Sequence, residues 1–320
     1  MTTPEALYGV SRTRIPERYV GLAAMLLSVT GYSFLPVFTA RLLALGMEPV
    51  EIALWRYALT VPVFWVLVAL IARRSRTPVA APPRRLPQLK LGLLGILLAA
   101  AALCAFFGLQ RIPAGTYVVI FYTYPAMTAL LSLVLGERLA GWGWVALGLT
   151  LVGVTLTVPD FSEGLGGGNF VGVAIALANA LIVAVYFTLN ARLLKGQSAL
   201  VRAAALTTTG ALVVLAVISL VMGIRIPTQP EAWLNLIAMT LVSTVLPIFA
   251  TNVGLQRLGA ARASILGAVE PLLTAVIAAI FLGQVMAPIQ WVGGLIIVAS
   301  VVLLQTMGSR RDTLTTSAES

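Results

Sequence analysis

Two ionisable side chains fall inside long apolar runs, and they are of opposite sign. Glu270 lies near the middle of the run from Ala263 to Leu282, and Arg56 lies within the run from Ile52 to Ala72, close to one end. A charge at bilayer depth is expensive unless it is paired, hydrated or neutralised, so such a residue is seldom idle. Glu270 is expected to be a substrate ligand or a proton-binding group, the alternative being a carboxyl that ties helices together. Arg56 is expected either to contact substrate or a gate, or to snorkel its guanidinium to the interface. Tyr122-Thr123-Tyr124-Pro125 forms a polar aromatic break in another apolar run, placed opposite Val269-Glu270-Pro271. Proline lacks a backbone donor and frees a carbonyl one turn earlier, so Pro125 and Pro271 are read as helix breaks that point to a central cavity. Around them Tyr32, Tyr122, Tyr124, Tyr186 and Asn252 join Arg56 and Glu270 as candidate substrate-binding residues. Ser33, Asn179, Asn190 and Gln256 can also supply hydrogen bonds, although such side chains often serve to hold helices together.

Most enzymatic chemistry lacks its residues here. The chain has no histidine and a single cysteine, Cys104, which leaves no intrachain disulfide, no Cys-based metal cluster and no plausible metal-ligand set. No phosphate-cradling P-loop is present, so an ATP-driven pump within this chain is excluded and an ion gradient or the substrate's own gradient must supply the energy. No cofactor and no metal are expected.

The elements that must position these groups are membrane helices. Apolar residues make up 59% of the chain and charged residues 10%, against about 25% charged in an ordinary soluble domain. Ten apolar runs have the length of a bilayer-crossing helix: Tyr19 to Ala40, Ile52 to Ala72, Leu91 to Leu109, Ala114 to Leu135, Trp142 to Val158, Phe170 to Leu189, Ala203 to Met222, Ala232 to Leu255, Ala263 to Leu282, and Ile289 to Met307. They lack the two-residue alternation of a wet barrel, so helices are required. The first run follows Arg12, Arg14 and Arg18 and is longer than a cleaved signal core, which predicts a membrane helix there. Trp142, Trp144, Trp233 and Trp291 lie near run ends, as interfacial anchors do.

With the amino terminus in the cytoplasm, 17 of the 21 Lys and Arg fall on that side, and only Arg41, Arg111 and Arg225 fall on the other. That asymmetry predicts both termini in the cytoplasm, and it accounts for the net charge of +10 without nucleic acid. The chain also repeats itself. Gly108-Leu109-Gln110-Arg111 recurs as Gly254-Leu255-Gln256-Arg257, and Pro125 with Thr128 recurs as Pro271 with Thr274 at the same offset. Trp144 matches Trp291, and Ala40-Arg41-Leu42-Leu43 matches Ala191-Arg192-Leu193-Leu194. Five spans per half is odd, so the second half enters the membrane from the opposite side, an arrangement found among secondary transporters. The expected fold is an all-α integral membrane protein of ten transmembrane helices in two inverted five-helix repeats. Its parts are a cytoplasmic leader (1–18), a first repeat (19–158), a linker (159–169) carrying Asp160 and Glu163, a second repeat (170–307) and a cytoplasmic tail (308–320).

On these residues the chain resembles the EamA family of the drug/metabolite transporter superfamily. The resemblance is carried by Pro49 with Trp55-Arg56, Gly108-Leu109-Gln110-Arg111, Pro125, Leu135-Gly136-Glu137, Gly254-Leu255, Glu270-Pro271 and Leu282-Gly283. One departure is Gln284, where the family commonly has a second Glu after Leu-Gly. The resemblance implies a plasma-membrane carrier, often an exporter of amino acids, related metabolites or drugs, with no organic cofactor. The expected function is therefore secondary-active export of a small metabolite by alternating access, in the inner membrane. The partners would be the lipid bilayer and a small-molecule substrate, with a homodimer left open and nucleic acid excluded. The alternatives are a membrane-embedded enzyme acting on a lipid or isoprenoid, or a non-transporting scaffold.

Overall fold

The computed structural model describes residues 16–74, 87–109, 111, 117, 120–136, 141–157, 170–223, 225–282 and 287–316. The leader before residue 16, Gln110, Glu137, Arg138, Asp160, Glu163, Gly283 and Gln284 lie outside them. Among the described residues every regular element is helical. In chain order they are α1 (Glu17–Ser33), α2 (Leu35–Ala44), α3 (Pro49–Arg74), α4 (Gln88–Leu109), α5 (Tyr124–Val134), α6 (Gly141–Thr157), α7 (Phe170–Leu194) and α8 (Leu200–Met222). There follow α9 (Pro230–Thr240), a π turn (Leu241–Val245), α10 (Leu246–Leu258), α11 (Ala260–Gly267), α12 (Glu270–Leu282) and α13 (Pro288–Thr316).

Among the described residues seven helical stretches are long and apolar enough to cross a bilayer: Glu17–Ala44, Pro49–Arg73, Gln88–Ala105, Phe170–Leu194, Leu200–Met222, Pro230–Leu258 and Ala260–Phe281. Three further apolar helices, Tyr124–Val134, Gly141–Leu156 and Pro288–Ser300, are shorter. Their outer faces carry large apolar side chains in the open, such as Val134, Phe170, Val221 and Leu295. Water would penalise such a surface and lipid accepts it.

Several runs expected to be continuous are interrupted, and proline explains where. The first run breaks at Phe34, whose amide turns back to the Gly31 carbonyl at 3.3 Å, and Pro36 stands in the first turn of the helix that resumes. Tyr122 and Thr123 form a turn before α5, whose second residue is Pro125. Ala268 and Val269 do the same before α12, whose second residue is Pro271. The π turn precedes Pro247. At the start of a helix, proline's missing N–H costs nothing, because the first donors have no intrahelical acceptor anyway.

Packing inside the bundle relies on small residues. A Cβ at Gly95 would collide with the Thr207 carbonyl and the Ala211 amide, and one at Gly210 with the Gly92 carbonyl, so α4 and α8 meet backbone to backbone. Without a hydrophobic drive between helices in lipid, such close approach is what holds them. Thr150 and Ser300 bond at 2.8 Å and join α6 to α13.

Candidate functional site

The interruptions converge on a cavity of about 240 Å³. Its wall comes from α1, α2, α3, α4, Phe121, the start of α5 at Tyr124, α7, the π turn, α10, α11 and α12. Five of the seven candidate residues line it: Tyr32, Arg56, Tyr124, Tyr186 and Glu270. Where the helices break, backbone direction changes and side chains from either side of the turn reach the same space.

Glu270 opens α12 and faces the cavity from its first turn. The helix start is a favourable place for a carboxylate, because the unpaired amides there carry partial positive charge. Ser33 donates to the Glu270 carbonyl at 3.3 Å and pins α12 against α1. Arg56 does not reach outward. It turns into the cavity with its guanidinium 4.9 Å from the centre of the Tyr57 ring, and its buried Nε has no hydrogen-bond partner. Tyr32 lines the cavity together with Arg56 and Glu270.

Aromatic rings form much of the cavity wall. Tyr124 packs against Phe121 and Phe187 at ring distances of 5.4 and 5.6 Å, and its hydroxyl donates to the Ser264 carbonyl at 3.3 Å. Tyr186 meets Phe187 edge to face. Hydroxyls line the cavity as well: Ser28 bonds to the Pro247 carbonyl at 3.0 Å and to Thr251 at 2.6 Å, and Ser243 and Thr244 come from the π turn.

The other two candidates lie off the cavity. Tyr122 is buried among Val154, Ala180, Ala268 and Ile297, behind the wall but within interaction range of the Glu270 carboxyl. Asn252 is buried and accepts a 2.9 Å bond from Asn190, whose amide also reaches the Tyr186 hydroxyl at 3.3 Å. One turn further on, Gln256 donates to the Leu194 carbonyl at 2.8 Å and to the Gln197 carbonyl. This polar ladder holds α10 to α7. Of the tryptophans, Trp142 and Trp291 are half exposed, whereas Trp233 packs edge to face on Trp55 at 5.2 Å and donates to the Pro227 carbonyl.

The sequence reading did not single out Tyr57, Phe121, Phe187 or the hydroxyls of the π turn as cavity residues. Pro36 and Pro247 were the available signals, since each marks a further break facing the same space. Among the described residues no group of three or more His, Cys, Asp or Glu is placed to hold a metal ion.

Comparison with known proteins gives a consistent picture. A family described as the EamA-like transporter family matches residues 19–158 and again 170–306. The threonine/homoserine exporter RhtA of Escherichia coli is 29% identical over 246 residues, covering 75% of each chain. YcbK of Bacillus subtilis, an uncharacterized transporter, is 23% identical over 88% of this chain and 91% of its own. The uncharacterized transporter sll1319 of Synechocystis sp. is 28% identical over 206 residues, which span 62% of this chain and 61% of that protein. A solved crystal structure superposes with a TM-score of 0.75 at 18% identity, covering 92% of this chain and 98% of that one, and so shares the fold.

Proposed function

The chain belongs to the EamA-like transporter family and is a multi-pass transporter of the inner membrane; from that premise we propose that it is a secondary carrier exporting small metabolites, such as amino acids, by alternating access. The observation that carries this reading is the cavity built where helices from both halves of the chain are interrupted. A carrier needs a binding site in mid-span that can be opened to either side, and broken helices supply both polar groups and hinges. The exporter named among its relatives supports both the direction and the substrate class.

The reading includes ten crossings in two inverted five-helix repeats, with the leader and tail in the cytoplasm. It is supported by the seven long and three shorter apolar helices, by the two family matches of similar length and by the Lys and Arg asymmetry. Tyr32, Arg56, Tyr124, Tyr186 and Glu270 form the substrate site, while Tyr122 and Asn252 act from behind it. A homodimer is compatible with this arrangement and is not required by it.

Reconstitution in liposomes tests the proposal. Saturable uptake with acceleration by unlabelled solute on the opposite side is expected, and flux rising linearly with concentration without trans-stimulation would mark a pore. Accessibility labelling of single cysteines should place residues 73–90 and 192–202 on the same face. Glu270 is also the proposed coupling group: Glu270→Gln should abolish the response to a pH gradient while exchange stays measurable, and unchanged pH-driven flux removes it from coupling.

A further inference from the structure

The cavity holds a guanidinium, that of Arg56, and a carboxyl, that of Glu270, which do not pair with each other. Among the described residues the ion pairs are Arg225 with Glu51 and Arg257 with Glu17, and neither Arg56 nor Glu270 is in one. In a medium of low dielectric, opposite charges attract strongly, and a charge left without a partner is costly. Arg56 bears that cost visibly. Its Nε is buried with no hydrogen-bond acceptor, and the face of Tyr57 compensates the guanidinium only in part. Glu270 is held at the helix start on the wall that Tyr32 shares, with the Tyr122 hydroxyl as its hydrogen-bonding neighbour and no cation paired with it among the described residues. The two poles are therefore fixed by different elements, α3 and α12, with a space between them and a tyrosine alongside.

A solute that carries only a positive charge satisfies Glu270 and leaves Arg56 unpaired, and one that carries only a negative charge does the reverse. A dipolar solute satisfies both. We infer that the cavity selects zwitterions by their charge pattern, Arg56 reading the carboxylate of the solute and Glu270 its ammonium group. The volume of about 240 Å³ lies below the ~300–1,000 Å³ typical of sites for drug-sized ligands, so the solute is small. The inference rests on the carrier reading and sharpens it, since it excludes organic cations and simple carboxylates, which a transporter of this architecture could otherwise take.

Three solutes of similar shape separate the cases: L-threonine, its decarboxylated counterpart 1-amino-2-propanol, and its deaminated counterpart 3-hydroxybutyrate. Exchange in proteoliposomes holding the full chain is measured for each, together with a panel of other small amino acids, their amines and their acids. Amino acids should exchange with half-saturation at least about tenfold lower than the matching amines or acids, the factor expected for losing a hydrogen bond to a charged group. Arg56→Gln should abolish the discrimination against amines and keep that against acids, and Glu270→Gln should do the opposite. Arg56→Lys and Glu270→Asp should restore the wild-type order. Ratios between solutes are read within each variant, so a smaller folded fraction does not alter the result. Equal exchange of amines or acids with amino acids overturns the inference, as does an unchanged order in both neutral variants. Exchange of uncharged solutes alone overturns it while leaving a carrier. Absence of trans-stimulated flux for every solute defeats the carrier reading itself.

Discussion

The turn before α5 and the turn before α12 use one backbone device for two chemical purposes. In each, two residues leave the helix, Tyr122 and Thr123 in one and Ala268 and Val269 in the other, and a helix restarts with proline in second place. The first residues of the restarted helices, Tyr124 and Glu270, stand 146 positions apart, the offset of the sequence repeat. Their surroundings differ. Tyr124 is buried, its hydroxyl is spent on the Ser264 carbonyl, and it serves as an aromatic wall. Glu270 is partly open to the cavity and is not in an ion pair among the described residues. The repeated sequence supplies the turn twice, and the different residue at its end makes one copy an aromatic wall and the other a carboxyl.

The largest expected effect breaks this pair apart. Glu270→Gln should raise the half-saturation for exchange about tenfold or more, because it removes the carboxyl proposed to make a charged hydrogen bond to the solute. Tyr124→Phe removes a neutral hydrogen bond worth about 1 kcal/mol and should change exchange by about fivefold at most. A Tyr124→Phe defect as large as that of Glu270→Gln would mean that both turns bind solute equally.

The next effect concerns the seam between α4 and α8, where the halves press together. Gly210→Val places methyl groups against the Gly92 carbonyl, which cannot yield without moving a helix. A loss of about 1–3 kcal/mol in stability is expected, as for overpacking elsewhere, and thermal unfolding in detergent measures it. Gly92→Ala should be nearly neutral, since a Cβ there meets nothing within 4 Å. If both substitutions are tolerated, the halves are not held by this contact.

Smaller still are the effects of the prolines. Pro125→Ala and Pro271→Ala restore an amide, but a donor in the first turn of a helix has no intrahelical acceptor to gain. Each should slow exchange by only about two- to fivefold, a change of roughly 1 kcal/mol or less, with Pro271→Ala the slower because its hinge carries the charge. Pro62 shows why composition alone could not mark the breaks. It sits inside α3, which continues through it from Pro49 to Arg74. What distinguishes Pro36, Pro125, Pro247 and Pro271 is that cavity-lining residues lie within about one turn before each, which is a property of packing. The apolar runs and the ionisable side chains within them were readable because lipid imposes them residue by residue. Whether Asn252 or Tyr32 faces the cavity depends on how helices rotate against one another, and nearly all-round apolar helices such as α7 carry little pattern to fix that rotation.

The smallest effect sharpens the contrast between cavity and scaffold. Asn252 and Tyr186 lie near each other through Asn190, yet only Tyr186 lines the cavity. The residue 146 positions before Asn252 is Phe106, so the first half has no asparagine at the matching place. Asn252→Ala should cost stability by about 0.6 kcal/mol, the average for a bond between membrane helices, and the double substitution with Asn190→Ala should cost less than the sum of the two singles. Exchange should stay within about twofold of the wild type, because the bond that is lost orients α7 against α10 and contacts no solute. A tenfold rise in half-saturation with unchanged stability would move Asn252 from the scaffold into the site, and would require the cavity to extend past Tyr186 when it opens.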